Sequence, residues 1–261
     1  MNEILERKIM DCDNAYYDQE KIWGKEATGF EKKRVEEVLG LVPEGVKSIL
    51  DVGCGDGVIS NLLVDKKYDV TCLDISRQAL RHVKAKTVHG SCDKMDFPDN
   101  SFDLVLCTEV LEHLPSGVYE RTLLEIRRLA KKYLIISTPY AENLRAKFAK
   151  CSLCGCTFHI YRHVRSFSKE GLAGLFSGFV PEKLILCGEK ERRYSGLSLF
   201  FRQNLGAAWR NSNNAVCPQC GGKTIQPFKW NLWSIKGELI NRLSFRKKLP
   251  NWIICLFEKI T

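Results

Sequence analysis

Residues 48–57, Ser-Ile-Leu-Asp-Val-Gly-Cys-Gly-Asp-Gly, decide the reading of this chain. Ile49-Leu50-Asp51-Val52 is a short buried-strand run, and Gly53, Gly55 and Gly57 follow it at alternate positions. Apolar residues then return at helical spacing, at Val58, Ile59, Leu62 and Leu63. Strand, glycine turn and helix open a βαβ unit, and glycines there let backbone approach a ligand closely. A dinucleotide fingerprint, G-x-G-x-x-G, needs glycine where Val58 stands, so the pyrophosphate reading loses weight. Val70-Thr71-Cys72-Leu73 is a second strand, and Asp74 ends it where a carboxylate can accept from both hydroxyls of a ribose.

The same alternation runs outward from this stretch. Ser76 is placed to cap a helix reaching about Lys84. Thr87–His89 is a weak third strand, Leu104–Cys107 a fourth, Val118–Ala130 a helix, and Tyr133–Ser137 a fifth strand stopped by Pro139. The pattern predicts an α/β fold: a doubly wound, mostly parallel, seven-stranded sheet with helices on both faces. After Pro139 the alternation pauses. It resumes with a helix near Ser168–Phe176 and strands near Leu184–Cys187 and Leu197–Arg202. Three regions are expected: a helical lead-in over 1–45, the ligand-binding domain over 46–205 with an insertion at 140–167, and a distinct segment over 206–261.

The chain has 261 residues, 44% of them hydrophobic and 27% charged, which suits a globular body and excludes a disordered one. The longest apolar run, Trp252–Phe257, is too short to cross a membrane. The first residues, MNEILERKIMDCDN, carry charges every few positions and no apolar signal core. A cytoplasmic protein, peripheral to the membrane at most, is therefore expected. Charge is unevenly spread. Residues 1–139 hold 20 Lys/Arg against 24 Asp/Glu, and residues 140–261 hold 20 against 7, so −4 and +13 sum to the net +9. The back half should favour an anionic partner.

ILDVGCGDG, then LDIS, then FPDNSFDLVLCTEVLEHL together resemble the class I S-adenosylmethionine-dependent methyltransferases, over residues 45–140. The resemblance implies that Gly53, Cys54, Gly55 and Gly57 hold the methionine part of the cofactor, with Asp51 helping at its amino group. It also implies that Asp74 and Ile75 receive the ribose end. Ser91, Cys92 and Asp93 follow Gly90 where the family often places an adenine-contacting acid, and either Ser91 or Asp93 would serve. Methyl transfer is an in-line displacement that needs alignment, and a base when the nucleophile is a hydroxyl. His113 is the base candidate, with Glu109 and Glu112 beside it after the fourth strand. An Asn/Asp-Pro-Pro-aromatic motif and a Pro-Cys nucleophile are both absent, so O-methylation leads. The expected acceptor is a small molecule, glycan or lipid-linked compound, anionic in character. Glu109, Glu112 and His113 also resemble the metal site of small-RNA 3′-end 2′-O-methyltransferases and of some quinone-ring O-methyltransferases; the former need a further His, which His163 or His159 would supply. That alternative makes nucleic acid the less favoured acceptor. A third alternative is a methyltransferase-like module that binds without catalysis.

Twelve cysteines in a chain without a secretory signal point to metal before disulfides. Cys151-Ser-Leu-Cys154-Gly and Cys217-Pro-Gln-Cys220-Gly are two knuckle turns that together would make a tetrahedral zinc site, with Cys156, His159 and His163 as alternative ligands. The segment Phe158–Phe167 resembles a stretch of bacterial and archaeal methyltransferases with such an insertion, whose His and Arg residues would face an anionic substrate. Over 228–261, tryptophans and aliphatic residues interleave with Lys236, Arg242, Arg246, Lys247 and Lys248. That basic amphipathic tail is expected to dock on the catalytic domain or on an anionic membrane surface.

Overall fold

The computed structural model describes residues 16–17, 19–24, 29–244 and 246–260. The expected lead-in over residues 1–15, with Cys12, and Phe245 of the tail lie outside the described residues. The chain divides into two compact units. One comprises Tyr17–Ala141, Phe167–Glu189 and Pro250–Thr261. The other comprises Glu142–Ser166 and Lys190–Leu249, together with Tyr16.

The first unit is the expected sheet. Helix α1 (Gly29–Gly40) precedes β1 (Ser48–Val52), α2 (Val58–Asp65), β2 (Asp69–Asp74), α3 (Arg77–Leu80) and β3 (Lys86–His89). Next come β4 (Phe102–Thr108), α4 (Ser116–Leu129) and β5 (Ala130–Pro139). Two short strands of the second unit, β6 (Phe148–Lys150) and β7 (Thr157–His159), pair antiparallel with each other. Then α5 (Lys169–Ala173), β8 (Phe179–Arg192), α6 (Gly196–Leu199), α7 (Leu232–Leu243) and β9 (Lys248–Lys259) follow. The large sheet runs β3-β2-β1-β4-β5-β9-β8. β1 to β5 are mutually parallel, and β9 lies antiparallel to β5, with Ser137 opposite Ile254.

Both faces of the sheet are buried, which explains why its strands read as nearly continuous apolar runs. Successive residues alternate between two cores, as side chains on a pleated strand must. Leu50, Val105, Leu134, Ile136, Ile253 and Cys255 belong to one. Ile49, Leu104, Leu106, Ile135 and Ile254 belong to the other.

Two expectations fail here. The apolar run Trp252–Phe257, read as part of a separate basic segment, is the middle of β9 and sits between β5 and β8. The strand expected at 197–202 is helical: α6 continues into a π-helical turn over Phe200–Leu205. Ser195 caps it, its Oγ accepting from Ser198 N at 3.0 Å. Leu197, Leu199 and Phe201 alternate like a strand, but the cap gives the orphan N–H a partner and sets the helix.

In the second unit, Ala149, Cys151, Phe158, Ile160, Ala215 and Cys217 form a small core. α7 begins at a capping box: Ser234 N donates to Asn231 Oδ1 at 3.0 Å and Asn231 N to Ser234 Oγ at 2.9 Å.

Candidate cofactor and catalytic site

The glycine turn opens at the carboxyl end of β1, the edge where α/β sheets hold ligands. Gly53, Gly55 and Gly57 have φ of +70°, +56° and +77°. The left-handed region costs an L-residue about 1–2 kcal/mol, so side-chain-bearing residues are disfavoured there. Space adds to the demand at Gly53, where a Cβ would collide with Cγ2 of Val110. That approach brings the segment after β4 against the glycine turn. Gly53 N and Cys54 N both donate to Leu73 O, at 2.7 and 3.1 Å, tying the turn to β2.

Asp74 organises the next position. Its Oδ2 accepts from Gly55 N and its Oδ1 from Ser76 N, each at 2.8 Å. Each carboxylate oxygen keeps further acceptor capacity. Burial pushes the Asp74 carboxyl up, against the backbone donors that stabilise its charge. Ile75 follows with an exposed apolar side chain.

Asp51 lies beneath the turn. Its Oδ2 accepts from Ser60 Oγ, while its Oδ1 is buried with no hydrogen-bond partner among the described residues. Burial raises its carboxyl to about 6, opposed by the Ser60 bond. A buried carboxylate with one unmatched oxygen is suited to receive a cationic donor.

After β3, Ser91 Oγ donates to Asp93 Oδ1, and Arg121 grips Asp93 Oδ2 through Nε at 2.9 Å and a terminal nitrogen at 2.7 Å. Although burial acts upward, the Ser91 and Arg121 bonds hold the Asp93 carboxyl low. Asp93 is thus committed to α4. Cys92 Sγ accepts from Thr122 Oγ1 at 3.3 Å, and burial pushes its thiol up to about 11, as suits a packed cysteine.

Of the three catalytic candidates, Glu109 separates from the other two. Glu109, at φ +58°, turns into the sheet: Ser137 Oγ donates to its Oε1 at 2.7 Å and Trp252 Nε1 to its Oε2 at 2.8 Å. Glu109 belongs to no group of three metal-ligating side chains among the described residues. Glu112 and His113 share one 3-10 turn, Leu111–His113. His113 Nε2 lies 3.9 Å from the buried Glu112 Oε1, and its Nδ1 is hydrogen-bonded to the Tyr17 hydroxyl at 2.8 Å.

No local sequence pattern marks Tyr17 and Trp23. Tyr17 O accepts from Ser76 Oγ at 3.0 Å and from Trp23 Nε1 at 2.5 Å. The Trp23 ring covers Gly55, whose Cβ, if present, would stand 3.0 Å away. Gly24 N donates to Asp56 Oδ2 at 2.9 Å. Trp23 and Gly24 therefore lie against the glycine turn. The aromatic character of Tyr17 and Trp23 was the one available signal, and it carries no spacing that marks a site.

The second unit assembles the two knuckles. Cys151, Cys154, Cys217 and Cys220 place their sulfurs within 4.8 Å of one another. Cys151 and Cys220 are 3.6 Å apart, and Cys154 and Cys217 3.5 Å. A disulfide would need about 2.05 Å, whereas the edge of a tetrahedron with metal–sulfur bonds of about 2.3 Å is about 3.8 Å. Gly155 and Gly221, at φ +73° and +70°, reverse the chain after each pair. Cys156 stands outside this group. His159 and His163 do too, joining Glu142 instead: His163 Nδ1 is 2.5 Å from Glu142 Oε2 and His159 Nε2 3.5 Å from Oε1. Lys147 adds a 2.7 Å ion pair to Glu142.

Residues 50–136 match the family model described as a methyltransferase domain. An uncharacterized protein of Methanocaldococcus jannaschii is 42% identical over 85 residues, covering 32% of this chain and 36% of that protein. A ubiquinone biosynthesis O-methyltransferase of Ralstonia nicotianae is 30% identical over 137 residues, covering 42% of this chain and 57% of that protein. The matches thus span less than two thirds of these relatives' lengths. Among solved structures, a 1,6-didemethyltoxoflavin-N1-methyltransferase of Burkholderia thailandensis, bound to S-adenosylhomocysteine, aligns with a TM-score of 0.56 and 14% identity. That alignment covers 97% of this chain and 87% of the other. The fold is the Rossmann-like methyltransferase sheet.

Proposed function

We propose that the chain is an S-adenosylmethionine-dependent methyltransferase that methylates an oxygen of a small, anionic acceptor, whether a free molecule, a glycan or a lipid-linked compound. The observation that carries the reading is the left-handed glycine turn set between Asp74 and the unmatched oxygen of Asp51. Both features fit the cofactor: backbone without side chains for its methionine part, and a buried acceptor for its ammonium group. Gly53, Cys54, Gly55 and Gly57 would hold the amino-acid end, Asp74 the ribose hydroxyls, Ile75 an apolar face of the base, and Ser91 and Cys92 its edge. The methyltransferase-domain match over residues 50–136 supports the same site.

When bound, S-adenosylmethionine supplies a methyl group activated by its sulfonium. The protein's part is to align and deprotonate the acceptor. With its proton on Nδ1, donated to the Tyr17 oxygen, His113 would take the proton of the acceptor hydroxyl at Nε2. Glu112 then stabilises the imidazolium. Tyr17 and Glu112 act as positioning residues. Glu109 takes no such part, because Ser137 and Trp252 hold its carboxylate against the sheet. Glu109 stands outside every group of three metal-ligating side chains among the described residues, which speaks against a metal held jointly by Glu109, Glu112 and His113. The Ralstonia relative's quinone-pathway role makes phenolic acids a first acceptor class to try. Titration calorimetry with S-adenosylhomocysteine tests the cofactor site, and heat-silent mixing refutes the reading. A panel of phenols, sugars and RNA with labelled cofactor then separates an enzyme from a binding module.

The four knuckle sulfurs are proposed to hold one structural zinc ion, which would join the insertion to the segment carrying Cys217. The 3.5 and 3.6 Å spacings support this over disulfides.

A further inference from the structure

Helix α7 carries its apolar residues on the outside. Its buried positions are Ser234, Gly237 and Asn241, at i, i+3 and i+7, which form one face. That face is fixed by close packing on α6 and the π-helical turn. Ser198 Oγ donates to Gly237 O at 2.6 Å, and a Cβ on Gly237 would lie 2.7 Å from both Ser198 O and Arg202 Cγ. The helix cannot turn its other side inward while that approach holds. The opposite arc presents Leu232, Ile235, Leu239 and Leu243, exposed by 75, 47, 53 and 75%. Trp233 lies at its edge, stacked on Phe201 with ring centroids 5.9 Å apart, and Lys236 stands over both rings. An apolar arc of this kind on a water-facing surface marks something that covers it.

The charge around it selects the occupant. Residues 229–248 contain six Lys or Arg and one acid, Glu238. Glu238 is already paired, with Arg202 at 2.8 Å and the Tyr194 hydroxyl at 2.9 Å. A second copy of the chain meeting it through the same arc would bring like charges together, whereas an anionic surface would meet complementary ones. Twelve residues of helix are too short to span a bilayer and suit one that lies in its plane. Trp230 and Trp233 are the residue type that favours the headgroup level. We propose that the outer arc of α7 docks the protein on the headgroup region of a bilayer rich in anionic phospholipid. The proposal stands independently of the methyl acceptor and of the cofactor.

Co-sedimentation of the full chain with vesicles tests it. Binding is expected to vesicles of phosphatidylcholine mixed equally with phosphatidylglycerol, and not to phosphatidylcholine alone. The triple variant Lys229→Gln, Lys236→Gln, Arg242→Gln should lower partitioning about a hundredfold. The double variant Leu239→Ser, Leu243→Ser should lower it about tenfold through lost apolar burial. Both variants change exposed side chains, so their melting temperatures should match the parent's and report intact folding. Wild-type protein that stays in solution with both vesicle types overturns the proposal. So does a double variant that binds as the parent does. A lipid-independent dimer that the double variant dissolves would assign the arc to self-association and also overturn it.

Discussion

Replacing Asp51 with asparagine is expected to stabilise the protein while weakening its hold on cofactor. Asp51 is fully buried, and its carboxyl titrates near 6 in the folded chain against an ordinary 3.8. An acid whose folded pKa is raised contributes stability that is present below about pH 4 and is lost as pH rises through about 6. By pH 7 the loss is about 3 kcal/mol, from roughly two units at about 1.36 kcal/mol each. An asparagine side chain has no charge to bury, and its carbonyl oxygen can still accept from Ser60. The D51N variant should therefore exceed the parent by up to about 3 kcal/mol at pH 7, and by close to nothing at pH 4. Urea unfolding at the two pH values, without ligand, measures this. Calorimetry with S-adenosylhomocysteine should show the opposite sign: loss of a charged hydrogen bond weakens binding by about tenfold to a hundredfold. Parent affinity should fall as pH drops below about 6, because the protonated carboxyl no longer attracts an ammonium group. A D51N protein less stable than the parent by the same amount at both pH values would refute the reasoning, since Asp51 would then be a structural anchor.

Other substitutions test neighbouring links. Gly53→Ala combines a left-handed φ with a collision against Val110, so a loss of about 3 kcal/mol is expected in urea unfolding. Adding Val110→Ala should recover the steric part of that loss and leave the backbone part. His113→Ala should lower kcat about a thousandfold, with little change in cofactor affinity. Tyr17→Phe should lower kcat about tenfold and shift the acidic limb of the pH profile, which a purely structural role would not move. Cys154→Ser should abolish stoichiometric zinc in metal analysis and lower the melting temperature, while chelation of the parent should reproduce the same drop.

The parts of the fold that reached the surface of the sequence are those fixed by local chemistry. Ile49–Val52 followed by Gly53, Gly55 and Gly57 is legible because a strand end and positive φ demand those residue types in that order. Asp74 is legible because it closes a second apolar strand, and the knuckles because two thiols and a glycine recur at one spacing. β9 was hidden by its neighbours. The lysines and tryptophans around it read as an amphipathic tail, although an uninterrupted apolar run is what a strand buried on both faces requires. α6 was hidden because Leu197, Leu199 and Phe201 mimic a two-residue period, and only the Ser195 cap distinguishes it. Tyr17 and Trp23 act through contacts with residues far along the chain, at His113 and Gly55, which no local pattern records. Glu109 shows the converse: its sequence position suggests chemistry, but Trp252, contributed by β9, claims its carboxylate.

The placement of β9 bears on the order of assembly. Its partner β5 is complete by Pro139, yet the strand that pairs with it begins only at Lys248, after the whole of the cysteine-bearing unit has been made. Until then β5 presents a bare row of amide and carbonyl groups flanked by aliphatic side chains, the kind of margin that recruits other strands. Long-range pairing of this sort is slow to form. A chain truncated before Lys248 would therefore leave that margin of β5 uncovered, with nothing of its own to close it.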